Sequence, residues 1–146
     1  MTTAVRYLQL EPEEVPFPDL VGMCPFRAVV LVRETVSDHW RNRVSDWLVA
    51  SGCLYALAWG ADCSAWDDAL DWANIDAFDT KPILPECFVM TTWHEDETIE
   101  EVFWSAAHCA EHPTVALQSD LILDISSANH EADAMQAWSS ALADDS

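Results

Sequence analysis

From residue 26 onward, segments with the apolar pattern of a strand alternate with segments that have the apolar pattern of a helix. The continuous apolar run at residues 28–32 is typical of a strand covered on both faces, and residues 54–59, 88–93 and 121–125 predict three further strands. After each run, apolar residues recur every three or four positions, which predicts an amphipathic helix. Strands and helices that alternate in this way form βαβ units around a mostly parallel sheet.

The predicted fold is a three-layer α/β domain, with helices on both faces of a four-stranded sheet. Right-handed crossovers favour the strand order 2-1-3-4, as in flavodoxin-like proteins. Polar and apolar residues alternate over residues 5–10, which is compatible with an additional N-terminal edge strand. We expect a single domain with a proline-rich arm at 1–25, a core at 26–127 and a C-terminal helix at 128–146.

Polar residues before three of the predicted helices fit N-terminal caps. Ser37 precedes the first helix, and Gly52 marks its end. The second and third helices open with the pattern of a capping box, in which Ser or Thr is followed three residues later by an acid. These boxes begin at Ser64 and Thr98.

The formal net charge is −20, from 26 acidic and 6 basic residues. Most of the basic residues precede position 44, so the acidic field belongs mainly to the second and later helices. This charge disfavours nucleic acid and anionic membrane surfaces, because both attract Lys and Arg. It suits a basic protein partner or a cation, and it also suits a protein whose charge serves only solubility.

The five cysteines include no C-x-x-C pair, and the N-terminus carries no signal-peptide pattern. We therefore expect reduced thiols and a cytoplasmic protein. No apolar run approaches the roughly 20 residues that span a bilayer, so we expect no membrane association. Glycine-rich phosphate-binding motifs are missing as well, and no cofactor is predicted.

Residues of catalytic types follow the strand ends, where open parallel sheets bind ligands at the reversal of strand order. In the predicted sheet this reversal lies between the first and third strands. An enzyme would use Cys63 as nucleophile, with His94 and Glu95 as an acid–base pair. A cation would instead be held by Asp62, His94 and Asp96. Acidic residues at these positions can serve only to cap a helix or to interact with the helix dipole. Most of the acids named here are accounted for in this way, so no catalytic or metal-binding role is firm.

Two of the eight tryptophans do not fit the inward faces of their helices. Trp72 and Trp104 share helix faces with acids, and the predicted sheet places their helices side by side. Tryptophans inside a polar rim are typical of protein interfaces. Two alternatives stay open: the arm covers both rings through Phe17, Leu20 and Val21, or the helix phases are in error. The predicted partner surface consists of Trp72, Trp104, Asp68, Asp71, Asp76, Glu100 and Glu111.

Three segments of the chain are distinctive: residues 45–55 (SDWLVASGCLY), 59–68 (WGADCSAWDD) and 90–97 (MTTWHEDE). Together they resemble an uncharacterised bacterial family of small acidic α/β proteins, a domain of unknown function, over residues 7–126. The resemblance implies a bacterial cytosolic origin. It implies no activity and no catalytic residues.

The favoured function is that of a non-enzymatic, acidic interaction or regulatory protein, whose partner is a basic protein or a second copy of itself. The alternative is a small enzyme or a ligand- or metal-binding domain that uses the strand-end Asp, Cys, His and Glu residues. The outward tryptophans and the acidic bias favour the first function, since capping accounts for most of the strand-end acids.

Overall fold

The computed structural model describes residues 4–144, so the ends of the predicted arm and of the predicted C-terminal helix lie outside the described residues. The longest described helix has 15 residues, and none in this range is both long and apolar enough to cross a membrane. In chain order the elements are β1 (Ala4–Leu10), β2 (Phe26–Val32), α1 (Asp38–Ala50), β3 (Cys53–Gly60), α2 (Cys63–Ala77), a 3-10 helix (Pro85–Cys87), β4 (Met90–His94), α3 (Ile99–His108), β5 (Ser119–Ile125) and α4 (Glu131–Ala143).

The strands form one parallel sheet in the order β1-β5-β2-β3-β4. The α/β class, the parallel sheet and the N-terminal edge strand are therefore confirmed. The predicted four-stranded order 2-1-3-4 is wrong. After α3 the chain returns past β2 and inserts β5 between β1 and β2, which leaves β4 at the edge.

The side chains of the strands explain this order. β5 is buried along its whole length, and Leu121, Ile122 and Leu123 are completely covered. Such a strand needs a neighbour on each side and helices on both faces. β4 is shorter, and its Trp93 is 51% exposed. A short strand with an exposed side chain suits an edge better than the centre of a sheet.

Helices α1 and α2 cover one face of the sheet, and α3 and α4 cover the other. Trp40 of α1 and Trp66 of α2 pack in one core cluster with Val30 of β2. Phe103 and Trp138 form the second cluster across the sheet, with ring centroids 5.6 Å apart. The expectation that the second and third helices lie side by side is therefore wrong. Helix α2 packs against α1, and α3 packs against α4.

The proline-rich arm folds back over α1. Phe17 packs against Trp40 and Trp47, with ring centroids 6.2 and 5.1 Å away. Both indole N–H groups donate to carbonyl oxygens of the arm. The arm thus completes the core beside α1, and the hypothesis that it covers Trp72 and Trp104 is wrong.

Two of the three predicted helix starts are confirmed. Ser37 caps α1 through its side chain, and Thr98 forms the predicted capping box of α3. The box predicted at Ser64 is wrong, because α2 already begins at Cys63. Its cap residue is Asp62, which has a left-handed backbone (φ 54°) and makes no side-chain capping hydrogen bond.

Candidate functional site

The adjacent carboxyl ends of β3 and β4 bring the predicted strand-end residues to one corner of the sheet. Trp59 at the end of β3 pairs in register with His94 at the end of β4. Residues 62 and 63 follow β3, and residues 95 and 96 follow β4. These side chains can act together only if they lie on the same face of the sheet.

The Cys63 thiol and the His94 ring take opposite faces of the sheet. Cys63 packs into the core cluster beneath α1 and α2. The His94 ring bonds Glu97, whose carbonyl oxygen accepts from the indole of Trp59, and Trp59 packs on the α3–α4 side. The Cys63 thiol forms a hydrogen bond with the backbone of His94, not with its ring. The structure therefore does not form a Cys–His pair at this corner.

Both ring nitrogens of His94 have partners within the protein. Nε2 lies 2.9 Å from Oγ1 of Thr92, and Nδ1 lies 3.0 Å from Oε2 of Glu97. The side chain is 11% exposed. A metal or a substrate would have to replace one of these two bonds to reach a ring nitrogen.

The environment of Cys63 opposes a nucleophilic role. Burial raises the pKa of the Cys63 thiol, and the negative charge of Glu95 raises it further, while nearby backbone N–H groups act against this. Nucleophilic cysteines have a lowered pKa instead. The predicted carboxylates of Asp62, Glu95 and Asp96 are all exposed to solvent.

A different group of carboxylates offers ligands for a cation. Within residues 4–144, the group of side chains whose ligand atoms lie close enough to share a metal ion is Asp67, Asp68 and Asp71 of α2, all within 4.8 Å of one another. The residues predicted as metal ligands, Asp62, His94 and Asp96, do not form such a group.

Asp67 is the unusual member of this group because its side chain is buried. The residue is 6% exposed, and its Oδ1 has no hydrogen-bond partner among the described residues. Burial is the main cause that raises the pKa of the Asp67 carboxyl, and the charges of Asp71 and Asp68 add to it. The hydroxyl of Thr91 acts in the opposite direction.

The reversal of strand order lies between β2 and β5, not where the predicted sheet placed it. Glu34 follows β2 here and accepts two hydrogen bonds from Ser127, 2.6 Å from its N–H and 2.7 Å from its hydroxyl. Both bonds lower the pKa of the Glu34 carboxyl. An anionic ligand at such a position would bind backbone N–H groups. The N–H group of Ser127 is already bonded to the carboxylate of Glu34.

The two tryptophans of the predicted partner surface belong to different sides of the molecule. Trp72 on α2 points outward as predicted and is 62% exposed. Trp104 on α3 is half-buried, with its ring centroid 5.1 Å from that of His108. The predicted set is therefore divided: Asp68, Asp71 and Asp76 accompany Trp72 on α2, whereas Glu100 and Glu111 accompany Trp104 on α3 and just after it.

Helix α2 and strand β4 together form an exposed aromatic and acidic surface. The Thr91 hydroxyl of β4 donates to Oδ1 of Asp71 over 2.8 Å, next to Trp72 in the helix. Trp93 lies two residues further along β4 and therefore shares a face of the strand with Thr91. We call this the β4 edge surface and define it by Asp68, Asp71, Trp72, Thr91 and Trp93.

Trp93 is absent from the predicted partner surface, because residues 88–93 are interpreted as an interior strand. A signal for the edge position is nevertheless present in the sequence. The polar residues Thr91, Thr92 and His94 surround this tryptophan, and fully interior strands rarely carry so many polar residues.

These features define an α/β protein with a five-stranded parallel sheet and an exposed edge strand beside an acidic helix. The chain matches the family model described as "Domain of unknown function (DUF7684)" over residues 5–141, so it belongs to this family. The comparison with curated proteins gave no match, and neither did the comparison with solved structures. The implied membership of an uncharacterised family is confirmed, and function has to be argued from the residues themselves.

Proposed function

We propose that this protein is a non-enzymatic interaction protein that binds a basic protein partner through the β4 edge surface. The observation that carries the proposal is the exposure of Trp72 and Trp93 on neighbouring elements at the edge of the sheet. Large aromatic side chains are mostly buried in monomeric proteins. Tryptophan is also among the residues that contribute most to binding when they are exposed and then covered by a partner.

Strand β4 offers backbone groups as well as side chains. It pairs with β3 on one side, and no strand within residues 4–144 pairs with its other side. Edge strands are commonly protected by lysine, proline or a bulge, and Met90–His94 contains neither lysine nor proline. An extended segment of a partner can add to such an edge through main-chain hydrogen bonds.

The charges favour a basic partner over a second copy of the chain. Asp68 and Asp71 lie beside Trp72, and the whole chain carries a formal charge of −20. A second copy would bring these carboxylates together, and like charges across an interface oppose association. Lysine or arginine side chains would instead pair with the carboxylates and pack on the indole faces.

Two synthetic peptides of equal length test the proposal, one alternating lysine with valine and the other alternating glutamate with valine. We expect the lysine peptide to bind, to change the tryptophan fluorescence and to shift the NMR amide signals of residues 90–94. Its affinity should fall as salt is added, because salt screens exposed charges. Equal binding of the glutamate peptide, or shifts confined to other elements, would overturn the proposal.

Matched tryptophan variants locate the binding surface. Trp72→Ala combined with Trp93→Thr should weaken the lysine peptide by at least about tenfold, or about 1.4 kcal/mol. Trp104→Ala is the control, since Trp104 lies across the sheet, and it should leave the affinity unchanged. An equal loss in both variants would contradict the assignment. A dimer in light scattering that only the double variant dissociates would instead identify a second copy as the partner.

Divalent cation binding is a second candidate function, favoured by the buried carboxylate of Asp67. Its Oδ1 is shielded from water and lacks a hydrogen-bond partner among the described residues. Asp67, Asp68 and Asp71 can each offer one carboxylate oxygen such that the three oxygens lie within 4.8 Å of one another. Hard cations such as Mg²⁺ and Ca²⁺ prefer such ligands. A bound cation would supply the missing partner and offset the repulsion among the three carboxylates.

Titration with Mn²⁺ tests this second function, because the ion broadens NMR signals close to its site. We expect broadening centred on residues 67–71, absent in Asp67→Asn and retained in Asp133→Asn, an exposed aspartate on α4. If Asp67 is protonated rather than metal-bound, Mn²⁺ will produce no localised broadening, and this function is excluded.

A further inference from the structure

A cavity of about 700 Å³ opens at the amino end of the sheet, at the opposite end of the strands from Cys63 and His94. It lies between the C-terminal ends of α1 and α2 and the residues that lead into β2, β3 and β4. Its volume falls within the roughly 300–1,000 Å³ typical of small-molecule sites. The cavity is separate from the β4 edge surface.

The walls of the cavity are mainly apolar. Cys53, Ala73 and Val89 are buried at its base, and Phe78 and Leu54 add larger apolar side chains. The base also contains the side-chain amide of Asn74, which is occupied, since it donates to the carbonyl of Cys87 and accepts from the N–H of Val89. A ligand in this space would therefore contact mostly carbon and sulfur atoms.

The polar groups of the cavity are carboxylates at its exposed rim. Asp46 comes from α1, Asp76 from α2 and Glu86 from the 3-10 helix. Partial burial raises the pKa of Asp46, and the negative charge of Asp76 raises it further, so the two carboxylates act on each other across the mouth. No Lys, Arg or His side chain lines the cavity among the described residues.

We propose that this cavity binds a small organic cation, in which an ammonium group is attached to an apolar body. The ammonium group lies between Asp46 and Asp76, and the apolar body enters the cavity against Phe78 and the buried base. An anionic ligand would face three carboxylates without a compensating base. A bare metal ion fits less well, because no residue of this lining belongs to the ligand group that is close enough to share a metal within residues 4–144.

Three small molecules with a phenyl ring on a two-carbon chain test the proposal: phenethylammonium, 2-phenylethanol and 3-phenylpropionate. We expect phenethylammonium to bind at least about tenfold more tightly than the alcohol in calorimetric titrations, and the carboxylate to show no binding. The NMR amide shifts should cluster at residues 46–54 and 73–78. Equal affinity for the alcohol, or shifts located elsewhere, would overturn the proposal.

Two kinds of variant separate the charge of the rim from the space behind it. Asp46→Asn combined with Asp76→Asn should weaken phenethylammonium by about tenfold. Glu131→Gln combined with Asp133→Asn removes the same charge on α4, outside the cavity, and should leave the affinity unchanged. Ala77→Trp, at an exposed lining position, should block entry without disturbing the core. Full binding by the blocked variant, or equal losses in the two double variants, would contradict the site.

Discussion

The guanidinium Nε of Arg33 lies 2.8 Å from Oδ1 of Asp124, a carboxylate that is completely buried between the layers of the fold. The pair joins the end of β2 to β5. The second oxygen of Asp124 accepts a hydrogen bond from the Tyr7 hydroxyl of β1. One buried carboxylate therefore links three neighbouring strands.

Replacing this carboxylate should destabilise the protein strongly. Asp124→Asn leaves the Arg33 guanidinium without its charged partner, and breaking a buried pair in this way costs about 3–5 kcal/mol. The free energy of unfolding in urea measures the loss. Asp38→Asn is the control: its carboxylate also bonds an arginine, Arg41, but is 87% exposed. That variant should lose no more than about 1 kcal/mol, and a similar loss in both would refute the role of Asp124.

Gly60 should not tolerate a side chain. Its φ is +102°, and a Cβ would lie 2.1 Å from the carbonyl oxygen of Val32. That carbonyl is fixed, because it accepts from the N–H of Ala61. Gly60→Ala should cost about 1–3 kcal/mol for the overlap, in addition to about 1–2 kcal/mol for the left-handed backbone.

Gly22→Ala is the matched test for Gly60. Gly22 also has a positive φ, +87°, but nothing lies within 4 Å of the position that its added methyl group would take. It should therefore show only the backbone cost of about 1–2 kcal/mol. Thermal unfolding of both variants measures the difference, and equal losses would mean that the contact with Val32 is not limiting.

Tyr7 should make the protein sensitive to alkaline pH. Burial, and then the hydrogen bond to Asp124, raise the pKa of Tyr7 to about 12, whereas an unfolded tyrosine titrates near pH 10. Because the folded pKa is the higher one, the stabilising contribution is complete below about pH 10 and is lost between about pH 10 and 12. The unfolding free energy should fall across this interval, and less so in Tyr7→Phe. Tyrosinate absorbance of the folded protein that rises fully near pH 10 would contradict this.

The cysteines should differ in their reactivity toward alkylating agents. Cys24 and Cys109 are exposed, whereas Cys53 and Cys63 are buried. Burial raises the pKa of Cys53 to about 12 and also raises that of Cys63. Mass spectrometry of the native protein treated with iodoacetamide should show early modification of the exposed pair alone. Rapid modification of Cys63 would restore it as a candidate nucleophile.

The strand order was partly encoded in charges that the hydrophobic pattern does not report. Arg27 of β2 lies beside Asp120 of β5 in register, with Nε 2.6 Å from Oδ1, and Arg33 binds Asp124 at the other end. The two buried aspartates of β5 require partners, because unpaired buried charges are strongly unfavourable. Arg27 within β2 and Arg33 directly after it are basic residues spaced to meet these aspartates, and this favours β2 and β5 as neighbours.

For the candidate site, the sequence could predict which side of its own helix a residue occupies. The outward position of Trp72 follows from the helical period, and the structure confirms it. Its association with Trp93 was not predictable from the same reasoning. The polar residues around Trp93 point to an edge strand, but they do not indicate which helix lies beside it, and only the tertiary structure brings β4 against α2.

The sequence by itself determined the alternation of strands and helices, the caps at Ser37 and Thr98, and the faces that the helices bury. These features depend on interactions between residues a few positions apart. The tertiary structure decided the order of the strands, the faces on which the helices lie and the surface that each tryptophan joins. Those features depend on contacts between residues such as Arg33 and Asp124, which are 91 positions apart, and local periodicity carries no information about them.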